Sequence, residues 1–134
     1  MESSTSPRLT AAEVLRRYKD EDLPAFCGIS LQDVNQVGNF GDRPLHVAST
    51  RGNIEEIAAL IEGGAEINGS GELGSTPLHE AVGQGHIEAI QFLLNRGASP
   101  DIKNQFAETP LDWAKRANRD DIVKLLQSQS GRHC

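Results

Sequence analysis

The sequence predicts an all-α solenoid, in which copies of one helix-turn-helix unit stack on one another. The first observation is a repeat, because Pro44, Pro77 and Pro110 stand 33 residues apart and each opens a near-copy of the same motif. A fixed period of this length is typical of stacked supersecondary units. The second observation is composition: aromatic residues make up only 4% of the chain, so Leu, Ile, Val and Ala must provide the burial. This favours an elongated, layered core of closely packed helices.

The N-terminal part of the chain predicts a tail and a degenerate first unit. Residues 1–9 are expected to be a disordered tail, because this Ser-rich segment has too little apolar surface to offset the entropy of ordering. Thr10 and Glu13 have the spacing of a capping box, which predicts that a helix starts here. Since Thr10 lies 33 residues before Arg43, residues 10–33 are in register with the later units and are predicted to cap the stack. The apolar face of a second, shorter helix in this unit is expected to contain Leu23, Phe26 and Cys27, with Cys27 buried.

Three full repeats are predicted over residues 34–127. Their boundaries fall at about 34–68, 69–101 and 102–127. In each repeat a proline occupies the first position of a first helix, where its missing amide costs nothing. Gly52 and Gly85 then end the first helix in the left-handed conformation.

The second helix of each repeat is predicted to be amphipathic. From Ile54 and from Ile87, apolar residues recur at i, i+3, i+6 and i+7 and form one buried face. The opposite face is expected to be solvated and to contain Glu55, Glu56, Glu88 and Gln91. In the third repeat Asp120 and Gln127 replace apolar residues of that face. The stack is therefore expected to end there, with residues 128–134 as a frayed tail.

Several independent motifs at the same period resemble the ankyrin repeat. They are Gly74-Ser75-Thr76-Pro77-Leu78-His79-Glu80-Ala81, Gly85-His86-Ile87-Glu88 and Leu93-Leu94-Asn95-Arg96-Gly97-Ala98. The resemblance covers residues 34–127 well and residues 10–33 by register alone. The sequence departs from the family pattern at Arg43, Ala107, Asp112 and Asn118, which leaves the turn geometry of the third repeat open.

The resemblance implies the architecture and the class of function. Ankyrin repeats form a slightly curved stack of antiparallel helix pairs with projecting β-turn fingers, and the fingers and first helices make a cupped surface. Ankyrin proteins overwhelmingly bind other proteins through that surface. Small bacterial members of this kind can act as inhibitors or immunity proteins. The resemblance therefore implies a non-enzymatic protein-interaction module with a protein partner and no cofactor.

The charge distribution argues against nucleic acid as a partner. The chain has 13 Lys and Arg against 19 Asp and Glu, a formal net charge of -6, which repels phosphate backbones. Residues 34–101 contain 3 basic and 9 acidic residues. Two interpretations remain for this acidic middle: it faces a basic patch on the partner, or it is a solvated surface.

Targeting signals and cysteine pairing are not indicated. The polar N-terminus does not have the pattern of a secretory signal, and no run of 18 apolar residues predicts a membrane helix. Cys27 and Cys134 do not suggest a disulfide framework. The expectation is a cytoplasmic protein that is a monomer on its own and does not associate with membranes.

An alternative hypothesis is a nucleotide- or metal-dependent enzyme or ligand binder. Residues 69–74 fit the pattern G-x-G-x-x-G, but no buried strand precedes them and a repeat helix follows. His46 and His79 are one repeat apart, on the order of 10 Å, which is too far to share a metal. They are expected to bind a neighbouring finger through hydrogen bonds. Cys27 beside a histidine would be needed for nucleophilic catalysis, and no motif brings them together.

Partner binding is predicted at finger and first-helix positions that vary while the scaffold positions stay fixed. The predicted residues are Val37, Asn39, Phe40, Asp42, Arg51, Glu72, Leu73, Glu80, Gln84, Lys103, Gln105, Phe106, Trp113 and Arg116. Phe40, Leu73 and Phe106 are in register, and they either pack finger against finger or face the partner.

Trp113 is predicted to be an exposed anchor for the partner. It occupies the repeat position of Val47 and Glu80, and a position that accepts Glu is not expected to be buried. Exposed tryptophans of this kind often dominate interfaces. The alternative is that Trp113 covers the open end of the stack.

Overall fold

The computed structural model describes residues 9–130, and these fold into an all-helical solenoid. The seven α-helices are α1 Ala11–Asp20, α2 Pro44–Arg51, α3 Ile54–Glu62, α4 Pro77–Gln84, α5 Ile87–Asn95, α6 Pro110–Arg116 and α7 Asp120–Ser130, with 3₁₀ turns at Pro24–Phe26 and Glu72–Gly74. Within the described residues there is no β-strand, so the predicted fold class is confirmed. Of the two predicted tails, 1–9 and 128–134, residues 1–8 and 131–134 lie outside the described residues.

The helices form two rows. The first helices α2, α4 and α6 contact one another in sequence, the second helices α3, α5 and α7 do the same, and α1 packs on α3. Each first helix also contacts the second helix of its own repeat. The core between the rows is built from equivalent side chains, such as Leu60, Leu93 and Leu126, all fully buried. Burial of each leucine contributes roughly 1.5–3 kcal/mol.

Local sequence signals set the helix boundaries. The Thr10 hydroxyl accepts from the Glu13 amide at 3.2 Å, and the Glu13 carboxylate accepts from the Thr10 amide at 2.9 Å. This confirms the predicted capping box of α1. Gly52 and Gly85 end α2 and α4 with φ angles of 69° and 74°. The equivalent residue of the third repeat, Asn118, has a φ of 58°, so asparagine adopts the same left-handed turn there.

Three loops project before the first helices, and we call them the first, second and third fingers, residues 35–43, 68–76 and 101–109. Each is closed by a backbone hydrogen bond at the same register: Gly38 N to Asp42 O, Gly71 N to Ser75 O, and Asn104 N to Glu108 O, at 2.7–2.9 Å. Adjacent fingers are also joined, because the Gln105 amide donates to the Leu73 carbonyl at 2.9 Å.

Glu56 corrects the predicted solvated face of α3. Its side chain is buried and accepts from the Tyr18 hydroxyl at 2.6 Å and from Arg17 Nη1 at 2.8 Å. Burial, and then the hydrogen bond to Glu56, raises the pKa of Tyr18 well above its usual range, so the hydroxyl remains a donor. Because α1 packs on α3, it covers a position that the isolated pattern of α3 assigns to solvent.

The prediction that Cys27 is buried is also wrong. Phe26 ends the Pro24–Phe26 3₁₀ turn and enters the core, where its ring stacks on Tyr18 with centroids 6.5 Å apart. Cys27 follows the turn and is exposed. The two adjacent residues therefore have opposite environments, since Phe26 faces the core and Cys27 faces solvent.

Polar residues on α7 occupy positions that are apolar in the second helices of the earlier repeats. Asp120 and Gln127 are both exposed on α7. The helix continues to Ser130, so residues 128–130 are helical, whereas the frayed tail was expected from residue 128. None of the helices between residues 9 and 130 is long and apolar enough to span a membrane.

Candidate binding surface

His46 and His79 tie each first helix to the finger of the next repeat. The Nε2 atom of His46 lies 2.9 Å from the Ser75 carbonyl and 3.1 Å from the Gly69 carbonyl, and Nε2 of His79 lies 2.8 Å from the Glu108 carbonyl. Both histidines are buried. The predicted structural role is confirmed, and it fixes the fingers against the helix row.

The other ring nitrogen of each histidine caps its own helix. Nδ1 of His46 accepts from the Arg43 amide at 3.1 Å, and Nδ1 of His79 accepts from the Thr76 amide at 3.0 Å. Both rings must therefore be neutral. Burial is the main cause that lowers the pKa of each histidine. In the third repeat Asp112 performs the capping, with its carboxylate accepting from the Thr109 amide at 3.0 Å.

These two histidines predict a loss of stability in mild acid. An unfolded histidine titrates near its ordinary pKa of about 6.5, whereas the folded pKa values are lower. Below about pH 6.5 the unfolded chain therefore binds more protons, and the free energy of unfolding falls as the pH falls through the folded values. Urea denaturation of the wild type and of His79→Gln between pH 8 and pH 5 measures this. The variant is expected to be less stable by about 1–3 kcal/mol at pH 8 and to show a shallower pH slope; parallel slopes would contradict the assignment.

The glycine-rich second finger is explained by packing. A Cβ on Gly71 would lie 2.5 Å from both Asp42 Oδ1 and His46 Nε2, and Gly74 has a φ of 75°. The amides of Gly69, Gly71 and Gly74 all donate to carbonyls of the second finger and the segment before it. An amide that is already bonded is not available to a phosphate, so this geometry does not favour the nucleotide-binding alternative.

The metal and nucleophile alternatives gain no support from the geometry. Among residues 9–130 no group of three His, Cys, Asp or Glu side chains is arranged to hold a metal ion. His133 and Cys134 lie outside the described residues. Cys27 is exposed in the N-terminal unit, whereas His46 and His79 are buried between helices and fingers.

Three large apolar side chains project from the fingers, and we call them the fingertip row. Phe40 is 58% exposed, Leu73 49% and Phe106 63%. They occupy the same register in consecutive fingers. Packing finger against finger, one of the two predicted alternatives, does not bury them.

Leu73 keeps its exposed side chain in an unfavourable backbone conformation. Its φ is 58° and its ψ is 24°, which places a branched residue in the left-handed region at a cost of about 1–2 kcal/mol. Glycine or asparagine would adopt this turn more easily. The Leu73 carbonyl accepts from the Gln105 amide at 2.9 Å, so this backbone conformation joins the second and third fingers while the side chain stays exposed.

An acidic group formed by Asp42, Glu72 and Glu80 lies beside the fingertip row. Asp42 Oδ1 accepts from the Glu72 amide at 2.8 Å, which joins the first and second fingers. Glu80 is half-buried on α4. Burial, followed by the charges of Asp42 and Glu72, raises the pKa of Glu80 to about 7, while the neighbouring Thr50 hydroxyl lowers it. The Glu80 carboxyl is therefore partly protonated near neutral pH, and a cation placed beside it would favour its ionised form.

Two predicted partner-binding residues make internal contacts with the N-terminal unit. The side-chain amide of Asn39 donates to the carbonyls of Pro24 and Cys27 at 3.1 and 2.9 Å. Arg51 pairs with Glu21, and its guanidinium lies 4.9 Å from the centroid of the Tyr18 ring. These contacts stabilise the junction of the N-terminal unit with the first repeat.

Trp113 is half-buried, so the predicted exposed indole is corrected. Its Nε1 donates to Glu108 Oε1 at 2.8 Å, its ring meets His79 edge-on with centroids 5.0 Å apart, and it lies against Gly83. Arg116 pairs with the same carboxylate. The hydrogen bond from Arg116, and then that from Trp113, lowers the pKa of Glu108 to about 2. Trp113 thus connects α4, α6 and the third finger.

The remaining predicted residues are exposed. They are Val37, Gln84, Lys103 and Gln105. Glu108 stands 33 residues after Ser75, and the carbonyls of the two residues bind His79 and His46 at the same register. Sequence reasoning missed Thr50 as a neighbour of this surface.

Apolar fingertips, a flanking acidic group and a hydrogen-bonded base lie together on the fingers and first helices. Comparison with protein families gives a match to a family described as ankyrin repeats (3 copies), over residues 12–104. This is more than half of the chain, and α6 and α7 continue the helix-pair pattern beyond it. A comparison with curated proteins gives no match.

Proposed function

Because the chain belongs to the ankyrin-repeat family, we propose that it binds a protein partner through its fingers and first helices and catalyses no reaction. Ankyrin repeats are in general protein-interaction modules. The observation that carries the proposal for this chain is the fingertip row, which leaves three large apolar side chains about half or more exposed. Contiguous exposed apolar groups on a soluble surface are typical of interaction sites.

Rigidity of the surface supports tight binding. The fingers are fixed by their own backbone bonds, by His46 and His79, and by the bond between Gln105 and Leu73. A preformed surface loses little entropy when it docks. Such a module is suited to inhibition, and we include an inhibitory or immunity-type role in the proposal. The acidic middle repeats add a second element, a partner with a basic patch.

A comparison of two triple variants tests the proposed surface. The fingertip variant combines Phe40→Ser, Leu73→Ser and Phe106→Ser. The matched control combines Glu88→Ser, Gln91→Ser and Lys124→Ser, which are exposed on the second helices. Each immobilised protein is used to capture partners from a lysate of the source cells, and affinity is then measured with the purified partner.

We expect the wild type and the control to retain the same partner and the fingertip variant to bind it at least about tenfold more weakly. Thermal melts of all three proteins check that folding is preserved. If the captured partner also has enzymatic activity, titration with the wild type tests inhibition directly. Equal retention by the three folded proteins would place binding elsewhere and overturn the proposal.

A further inference from the structure

We infer that the occupant of this surface is a continuous segment of the partner that places apolar side chains on the fingertip row and one lysine or arginine beside Glu80. This inference rests on the proposed function and adds the chemistry of the partner. It combines two features that lie side by side, the uncovered apolar row and the acidic group.

The apolar part of the segment follows from the exposure of the fingertip row. Phe40, Leu73 and Phe106 are equivalent residues of three consecutive fingers, and each remains about half or more exposed. Within residues 9–130 the other exposed large apolar side chains are Val37, which lies in the first finger, and Ile87, which begins α5 and is 36% exposed. An occupant that covers this row must itself be apolar at several points, because only apolar contact gains from removing this surface from water.

The lysine or arginine of the segment is inferred from the carboxyl groups that lie close together beside the fingertip row. Glu80 is half-buried on α4, and two further carboxylates, Asp42 and Glu72, act on it from the first and second fingers. The structure joins these fingers through the bond between the Asp42 carboxylate and the Glu72 amide. Three carboxyl groups held close together make the site unfavourable for an anion and favourable for a cation, which would stabilise the ionised form of Glu80.

The basic side chains of residues 34–101 contact groups other than the acidic group. Arg43 pairs with Glu66 at 2.9 Å, Arg51 pairs with Glu21 and Glu56, and the guanidinium of Arg96 lies over the Phe92 ring. These are the three basic residues of residues 34–101. None of their described contacts is with Asp42, Glu72 or Glu80, so the described residues of the middle repeats provide no cationic partner for this group.

The distance between neighbouring repeats predicts the spacing of apolar residues along the bound segment. Neighbouring first helices pack about 8–10 Å apart, and successive fingertips should be separated by a similar distance. An extended polyproline-type segment rises about 3.1 Å per residue with three residues per turn, so apolar residues at i, i+3 and i+6 would meet three successive fingertips.

Peptide selection tests the inference even while the partner is unidentified. A phage-displayed library of random 16-residue peptides is selected on the wild-type chain and counter-selected on the fingertip variant. We expect the enriched peptides to share apolar residues and at least one Lys or Arg. Enriched peptides that are neutral or acidic would overturn the inference while leaving the proposed function intact. Absence of any fingertip-dependent peptide would count against both.

A double-mutant cycle then tests the contact with Glu80. An enriched peptide and its Lys→Gln or Arg→Gln version are titrated by calorimetry into the wild type, Glu80→Gln and the control Glu88→Gln, whose residue is exposed on α5. We expect each single change to weaken binding about fivefold, with little further loss when both are combined. Glu88→Gln should bind like the wild type, and the melting temperature of Glu80→Gln should not fall. Independent, additive losses or an unchanged Glu80→Gln affinity would exclude the contact.

Discussion

Replacement of Glu56 with alanine is expected to lower the free energy of unfolding by about 3 kcal/mol. The carboxylate is buried, and it accepts hydrogen bonds from Tyr18 and Arg17 of α1. Its removal leaves the buried Tyr18 hydroxyl without an acceptor and opens a cavity between α1 and α3. Urea denaturation monitored by circular dichroism measures the change.

Two control variants test whether the loss of stability comes from the buried contact of Glu56. Glu55→Ala changes the adjacent exposed residue of α3 and should alter stability by less than about 0.5 kcal/mol. The double variant Glu56→Ile with Tyr18→Phe removes both polar partners, and it should recover most of the loss because no buried polar atom is left unpaired. If Glu56→Ala and Glu55→Ala had the same small effect, the buried contact would not stabilise the N-terminal unit.

Replacement of Trp113 with alanine is expected to cost about 2–3 kcal/mol of stability. The indole is half-buried, packs against His79 and Gly83, and donates to Glu108. A fully buried tryptophan would cost about 3–5 kcal/mol, and partial exposure reduces that value. Thermal or urea denaturation of the purified variant tests this.

The variant Trp113→Phe isolates the hydrogen bond to Glu108. It keeps most of the ring packing and should cost only about 1 kcal/mol. A melt of Trp113→Ala that matches the wild type would show that the indole is not part of the stabilising contacts. Partner affinity of the same variants tests the separate prediction that Trp113 also contacts the partner.

These two residues show where sequence reasoning succeeds and where it is limited. The helical spacing of the apolar residues of α3 predicts that Glu56 faces solvent, but the repeat register contains the opposite signal, because Glu56 is equivalent to Ala89 and Ile122. Both of these are buried. Comparison along one helix misled the prediction, whereas comparison between repeats would have identified a buried position.

The prediction that Trp113 is exposed was wrong for the converse reason. Its register partners Val47 and Glu80 suggested a solvated position, and all three are in fact half-buried. A glutamate is accepted there at the cost of a raised pKa, about 7 for Glu80. The presence of a charged residue at a repeat position therefore does not establish that the position is exposed.

The sequence by itself determined the repeat, the helix boundaries and the bonds between histidines and fingers, because these depend on local signals that recur every 33 residues: capping Thr10, Pro at the first helical position, and Gly52 and Gly85 at the helix ends. Tertiary structure alone decided which polar groups are buried and which apolar groups stay exposed. The physical reason is that burial depends on the neighbouring layer. Helix α1 covers Glu56, α6 and the third finger enclose Trp113, and nothing among the described residues covers the fingertip row.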